Sequence, residues 1–166
     1  ITQDEPFYLK DNFNYLTNIL PKKHKIVGCV VSHVSPYGKK ERFFKKSFKT
    51  LKIFGLKFFI YYGIKFILSK IFDSSIKTLL KKKSIPIIQI RGSINSAESL
   101  KLINSYKPDL LVSILGNQIF KKRLINLAPK GCINLHTALL PKYRGLMPTF
   151  WVMKNNENKT GVSVFF

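Results

Sequence analysis

Apolar runs of strand length alternate along this chain with stretches whose apolar residues recur at helical spacing. Lys25 to Ser32 is a nearly continuous apolar run, as expected of a strand buried on both faces of a sheet. Asp109 to Leu115 is the clearest such run, and Ser84 to Ile90, Lys130 to His136 and Thr160 to Phe166 read the same way. Residues 1–3 read as the tail of a first strand. Phe7, Leu9, Phe13, Leu16 and Leu20 predict a helix within Pro6 to Leu20, which Pro21 stops. Tyr37 to Lys83 predicts a basic helical region. Ser93 to Tyr106 predicts a helix capped by Ser93 or Ser96 with Glu98 in its first turn. A helix through Phe120 to Leu127 ends before Pro129, and Pro148 to Asn155 predicts a helix with proline in its first turn. Strands alternating with helices predict an α/β fold, a sheet with helices on both faces. No internal repeat, linker or second domain is visible, so residues 1–166 read as one domain.

Composition adds a charge. Lys and Arg number 29 against 8 Asp and Glu, a formal net charge of +21. Such a chain attracts phosphates, nucleic acids and anionic membrane surfaces. Lysine supplies 25 of the 29, and a coding bias toward lysine accounts for the excess equally well. Residues 37–83 hold 14 Lys and Arg against 2 acids. Within them, Leu51 to Phe72 is apolar but interrupted by Lys52, Lys57, Lys65 and Lys70. Its longest uncharged stretch falls far short of the roughly 20 residues that a spanning helix needs. A helix lying on an anionic surface stays open. However, the lysines do not gather on one helical face, and Gly55 and Gly63 weaken a single long helix. The expectation is therefore one or two ordinary helices packed on the domain, with lysine stems covering apolar surface. Cys29 and Cys132 sit in apolar runs and form no disulfide framework. Residues 1–6 lack the basic and apolar regions of a signal peptide, so a reduced, cytoplasmic protein is expected. The start without Met and the final apolar run Gly161 to Phe166 read as cuts through structure, so the chain is expected to be truncated at both ends.

In open α/β sheets ligands bind at the carboxyl ends of the strands, and two loops carry unusual content there. One is Leu115-Gly116-Asn117-Gln118-Ile119, whose glycine permits a sharp turn and close approach to a ligand. The other runs from Asn134 to Gly145. Asn134 and His136 are two apart on a strand, so both side chains point to one face. An imidazole can move a proton near neutral pH, and an amide can stabilise a developing oxyanion. The same spacing also suits a structural pair. No His/Cys cluster has zinc spacing, and neither a G-x-G-x-x-G nor a P-loop occurs.

The stretch Gly131 to Gly145, with Asn134, His136, Leu139-Leu140-Pro141 and Tyr143-Arg144-Gly145, followed by Pro148, Trp151 and Thr160 to Val162, resembles the formyl transferase family. That family includes methionyl-tRNA, phosphoribosylglycinamide and sugar-nucleotide formyltransferases and formyltetrahydrofolate deformylase. The resemblance is strong from about residue 107 to 166 and only topological before that. It implies a Rossmann-like catalytic domain with a mostly parallel sheet. The donor it implies is 10-formyltetrahydrofolate, and the acceptor is a primary amine on an aminoacyl-tRNA or an amino-sugar nucleotide. Asn134 and His136 match two of the family's catalytic trio. Leu115, Gly116, Asn117, Gln118 and Ile119 match the turn near the folate ring, and Leu139, Leu140 and Pro141 shape the same cleft. Arg144 either holds an anionic part of the substrate or packs its own loop. Trp151 is expected to anchor the core, His24 to be exposed and Lys142 to be a solvated loop lysine. His33, just past a strand end, could also meet substrate.

The trio's third member is an Asp that the resemblance places beyond residue 166. No Asp follows Asp109, so residues 1–166 alone are expected to be inactive or nearly so. The deformylase branch, with water as acceptor, fits the same residues. A reading of another class is a non-enzymatic basic protein that docks residues 39–83 on nucleic acid or an anionic membrane surface.

Overall fold

The computed structural model describes residues 1–33 and 42–166. The start of the basic helical region, 37–41, therefore lies outside the described residues. Each expected strand has a counterpart, every one of them shorter: β1 (Thr2–Gln3), β2 (Cys29–Ser32), β3 (Ile87–Ile88), β4 (Leu111–Ile114), β5 (Cys132–His136) and β6 (Ser163–Phe165). The helices are α1 (Leu9–Ile19), α2 (Phe43–Ile71), α3 (Ile76–Lys82), α4 (Ala97–Asn104), α5 (Lys122–Ile125) and α6 (Pro148–Lys154). Ser96, the second of the two expected caps, starts α4 by accepting from the Ser99 amide at 3.2 Å.

β1, β2 and β3 pair in parallel, as do β4 and β5, while β6 runs antiparallel to β5. The two halves meet at Ile1. Its nitrogen donates to the Val112 carbonyl at 2.7 Å, and the Ile114 amide donates to the Ile1 carbonyl at 2.9 Å. That slanted exchange is a parallel pairing, and it orders the sheet β3-β2-β1-β4-β5-β6. This is the doubly wound, Rossmann-type order, which reverses direction between β1 and β4. β3 lies at the edge, where Pro86 needs no amide of its own; its carbonyl accepts from Cys29 at 2.8 Å.

Two apolar clusters cover the two faces, as the alternation predicts. On one, Leu9 and Phe13 of α1 and Ile76, Leu79 and Leu80 of α3 close over Cys29. On the other, Leu100 and Ile103 of α4 and Leu124 of α5 close over Val30, Ile88, Leu111 and Cys132. Both cysteines are free and buried. Burial penalises the charged form and pushes both thiols up from the ordinary range.

The basic helical region departs from expectation. α2 breaks at Gly55, whose φ of 80° and ψ of 173° belong to glycine alone, while Gly63 stays helical. α2 does not fold its apolar side chains into the domain. Among its contacts with the domain, Phe54 meets Phe150 of α6 and Tyr62 meets Phe7, both edge-on. Lys65 donates to the Tyr8 hydroxyl at 2.6 Å, which holds that ammonium above its ordinary range. The rest of α2 leaves large apolar side chains in solvent. Over its whole length the helix is aromatic and lysine-bearing all round, with no narrow polar face to send its other residues inward; only beyond the Gly55 break do its aliphatic residues fall in one row. No helix among the described residues is long and apolar enough to cross a membrane.

Candidate active site

β5 begins as core and ends as site. Leu111 pairs with Cys132 and Ser113 with Asn134 across β4, while Asn134 faces Phe165 and His136 faces Ser163 across β6. Directly opposed residues share a face, so Cys132, Asn134 and His136 line one side of the sheet. Cys132 is buried beside Leu124 and Ala128. Two and four residues on, beyond the reach of α5, the same face carries the half-buried Asn134 and His136. The structure thus brings the two predicted side chains together at the carboxyl end of the sheet.

His136 is oriented by the loop that follows it. Its Nε2 lies 2.8 Å from the Tyr143 carbonyl oxygen. A carbonyl only accepts, so Nε2 carries the hydrogen, and of the two neutral tautomers this contact selects the one with its lone pair at Nδ1. Ser163 anchors the loop, donating to the Ala138 carbonyl at 2.8 Å and accepting from the Leu140 amide at 3.0 Å. Gly161 lets the loop sit close. A Cβ there would stand 2.7 Å from a Leu139 methyl. The far side is held by Glu157, which accepts from the Tyr143 hydroxyl and lies 3.3 Å from the Lys142 ammonium. Those contacts, the hydroxyl first, keep the Glu157 carboxyl below its usual range. Lys142 is thus exposed but ion-paired. Arg144 donates from Nε to the Pro141 carbonyl at 3.0 Å, within its own loop, and is otherwise exposed.

The other predicted loop leaves the neighbouring strand at the same edge. Leu115 takes a positive φ of 57°, and a Cβ on Gly116 would press within 2.6 Å of the Ser113 hydroxyl. Asn117 is buried rather than turned to solvent. It accepts from the Ser32 hydroxyl at 3.0 Å, and its amide donates to the His33 carbonyl. It therefore ties the end of β2 to the turn after β4. Gln118 accepts from the Ile94 amide at 2.9 Å, while Ile119 is 74% exposed. Asn117→Ala is expected to cost about 1–3 kcal/mol by stranding these partners. Urea unfolding measures it, and a loss under about 0.5 kcal/mol would refute the tie.

A cavity of about 410 Å3 opens beside this turn, lined among others by Ser32, His33, Arg91, Ile94, Gln118 and Phe120. Its walls come from β2, the segment after β3 and the turn after β4, at the carboxyl edge where an open α/β sheet offers a ligand a place. Neither Arg91 nor the Tyr143 carbonyl stood out in the sequence. Arg91 could have been found as one of four arginines placed just past a strand, whereas a backbone acceptor leaves no trace in residue identity. Trp151 corrects an expectation. It is 44% exposed with the Lys154 ammonium over its ring, and Val152 is the buried residue of α6. A seven-residue helix seats one side chain inward here, and Val152 takes that position. His24 is exposed, as expected.

A family model described as formyl transferase matches residues 70–166. The methionyl-tRNA formyltransferase of Kosmotoga olearia is 32% identical over 96 residues, covering 58% of this chain and 30% of that protein. That of Citrifermentans bemidjiense is 40% identical over 88 residues, covering 53% and 27%. That of Clostridioides difficile is 39% identical over 93 residues, covering 56% and 30%. The chain thus spans about three-tenths of the length of these curated relatives. Among solved structures, glycinamide ribonucleotide transformylase 1 from Geobacillus kaustophilus is similar with a TM-score of 0.47 and 17% identity, covering 55% of this chain and 52% of that one.

Proposed function

The chain belongs to the formyl transferase family, and from that premise we propose that it passes a formyl group from 10-formyltetrahydrofolate to a primary amine, with Asn134 and His136 at the reacting centre. The observation that carries this reading is their shared face at the end of β5, with the His136 ring fixed through Nε2. The free Nδ1 takes a proton as the amine nitrogen bonds to the formyl carbon. The Asn134 amide donates to the oxygen as it gains negative charge. Collapse of the tetrahedral intermediate breaks the bond from the formyl carbon to the folate nitrogen. The imidazolium returns its proton to that nitrogen, leaving a formamide and tetrahydrofolate.

In this reading the donor lies along the turn Gly116 to Phe120, where the cavity pairs apolar walls with Gln118 and Arg91; its walls include neither Asn134 and His136 nor Leu139 to Pro141. Leu139, Leu140 and Pro141 border the reacting centre from the other loop. Among acceptors, aminoacyl-tRNA has the support of the relatives, which are methionyl-tRNA formyltransferases; an amino-sugar nucleotide suits the same chemistry. Asp109 does not complete the pair as a third group. It stands at the amino end of β4, where its carbonyl accepts from Lys130 at 2.9 Å, away from His136. The test offers the full gene product 10-formyltetrahydrofolate with methionyl-tRNA, then with an amino-sugar nucleotide, and follows tetrahydrofolate release and formyl incorporation. Formylation of one acceptor is expected. Tetrahydrofolate and free formate with neither acceptor labelled would replace transfer by hydrolysis.

A further inference from the structure

The part of α2 beyond the Gly55 break carries a face that the formyl-transfer reading does not use. Leu56, Ile60, Ile64, Ile67 and Ile71 are 52–68% exposed. At 3.6 residues per turn they fall within one strip about 80° wide. The opposite side of the same helix is the one seated on the domain, where Tyr62 meets Phe7, Lys65 donates to the Tyr8 hydroxyl and Ser69 is buried. The aliphatic strip therefore points outward. Five branched aliphatic residues in one row are more than the scattered apolar exposure of ordinary surfaces.

Charge selects what covers them. Residues 43–71 contain seven lysines and no acid, and no Asp or Glu occurs from Arg42 to Phe72. Lys57 and Lys70 flank the strip on its two sides, both exposed. A lysine on such an edge lies its stem along apolar surface and lifts its ammonium outward. We propose that α2 docks on an anionic membrane surface, with the aliphatic strip lying among the acyl chains and the flanking lysines meeting lipid phosphates. Aliphatic strip and basic rim together are the pattern of a helix lying in the membrane interface.

The other occupants fit less of this. RNA would take the lysines but leave the aliphatic strip in water, because side chains without a π face cannot stack on bases. A second copy of the chain would bring the lysine rims of two +21 molecules together with no acid on α2 to answer them.

The test uses vesicles of phosphatidylcholine alone and vesicles with about a third phosphatidylglycerol, with co-sedimentation as the readout. The chain is expected to bind the anionic vesicles and not the neutral ones. Ile60→Ser/Ile64→Ser/Ile67→Ser is expected to weaken that binding at least about tenfold. Lys57→Ser/Lys70→Ser is expected to weaken it about tenfold or more. Both variants change only exposed side chains, so circular dichroism and melting should match the parent. As an independent readout, tryptophan emission of Ile64→Trp should shift to the blue on anionic vesicles. Absence of binding to anionic vesicles overturns the proposal. So does equal binding by the aliphatic-strip variant, which would leave lysines alone responsible. So does a parent dimer that the same variant dissolves, which would make a second copy the occupant. None of these results bears on formyl transfer, which is assayed without lipid.

Discussion

His136→Ala is expected to lower kcat/KM for formyl transfer by about 10²–10⁴, the contribution of a positioned acid–base group. The basis is geometric. The Tyr143 carbonyl accepts from Nε2 and so assigns the free lone pair to Nδ1. A proton lost from the attacking amine then has one defined destination. The loss should fall on kcat, with donor binding unchanged, because the cavity walls at Gln118, Arg91 and Phe120 do not include His136. Asn134→Ala, which removes an oxyanion donor, is expected to cost about 10²–10³. The double variant should cost little more than His136→Ala alone, since groups that act as a unit are not additive. Steady-state kinetics on the three variants in the full gene product, with donor affinity measured by calorimetry, checks this. A loss under about threefold for His136→Ala would remove the ring from the chemistry. A loss confined to donor affinity would make it a binding residue.

The shared face of Asn134 and His136 is legible in the sequence because strand periodicity places residues i and i+2 on one face, while the role proposed for them comes from the resemblance carried by Gly131 to Gly145. β2 to β6 are legible for a related reason, since each lies in an apolar run bounded by proline, glycine or polar turns, whereas β1 is the polar pair Thr2–Gln3. Their ends are not. Lys25 to Gly28 read as strand, yet β2 starts only at Cys29. A Cβ on Gly28 would meet an Ile88 methyl at 2.8 Å, so close packing rather than pairing occupies that position. Asn117 is legible as a turn residue but not as a tie, because its partners Ser32 and His33 are some 85 residues away in the chain. α2 misleads for the opposite reason. Its apolar content implies burial, but an apolar side chain is buried only where another element closes over it. On α2 beyond Gly55 the side with Tyr62 and Ser69 finds such an element, and no local pattern says which side that is.

The same face of β5 sets the largest expected loss of stability. Leu124 is fully buried, in the cluster that holds Leu111, Ala128 and Cys132. Leu124→Ala leaves a cavity against strands that cannot close over it, and is expected to cost about 2–5 kcal/mol. Urea unfolding with an unchanged m-value measures it. A cost under about 1 kcal/mol would show that α5 collapses into the space. Two outcomes then separate along one strand face. Leu124 supports Cys132, and Cys132 and His136 are four residues apart on β5. Leu124→Ala should therefore lower the midpoint while leaving kcat near that of the parent below the transition. His136→Ala should do the reverse, because the ring is half-buried and makes its one hydrogen bond to a loop carbonyl. If Leu124→Ala lowered kcat as much as it lowered stability, the site would depend on the packing beneath β5 rather than on the loop anchored by Ser163. Ser163→Ala would then be the less damaging of the two, contrary to the contacts it makes with Ala138 and Leu140.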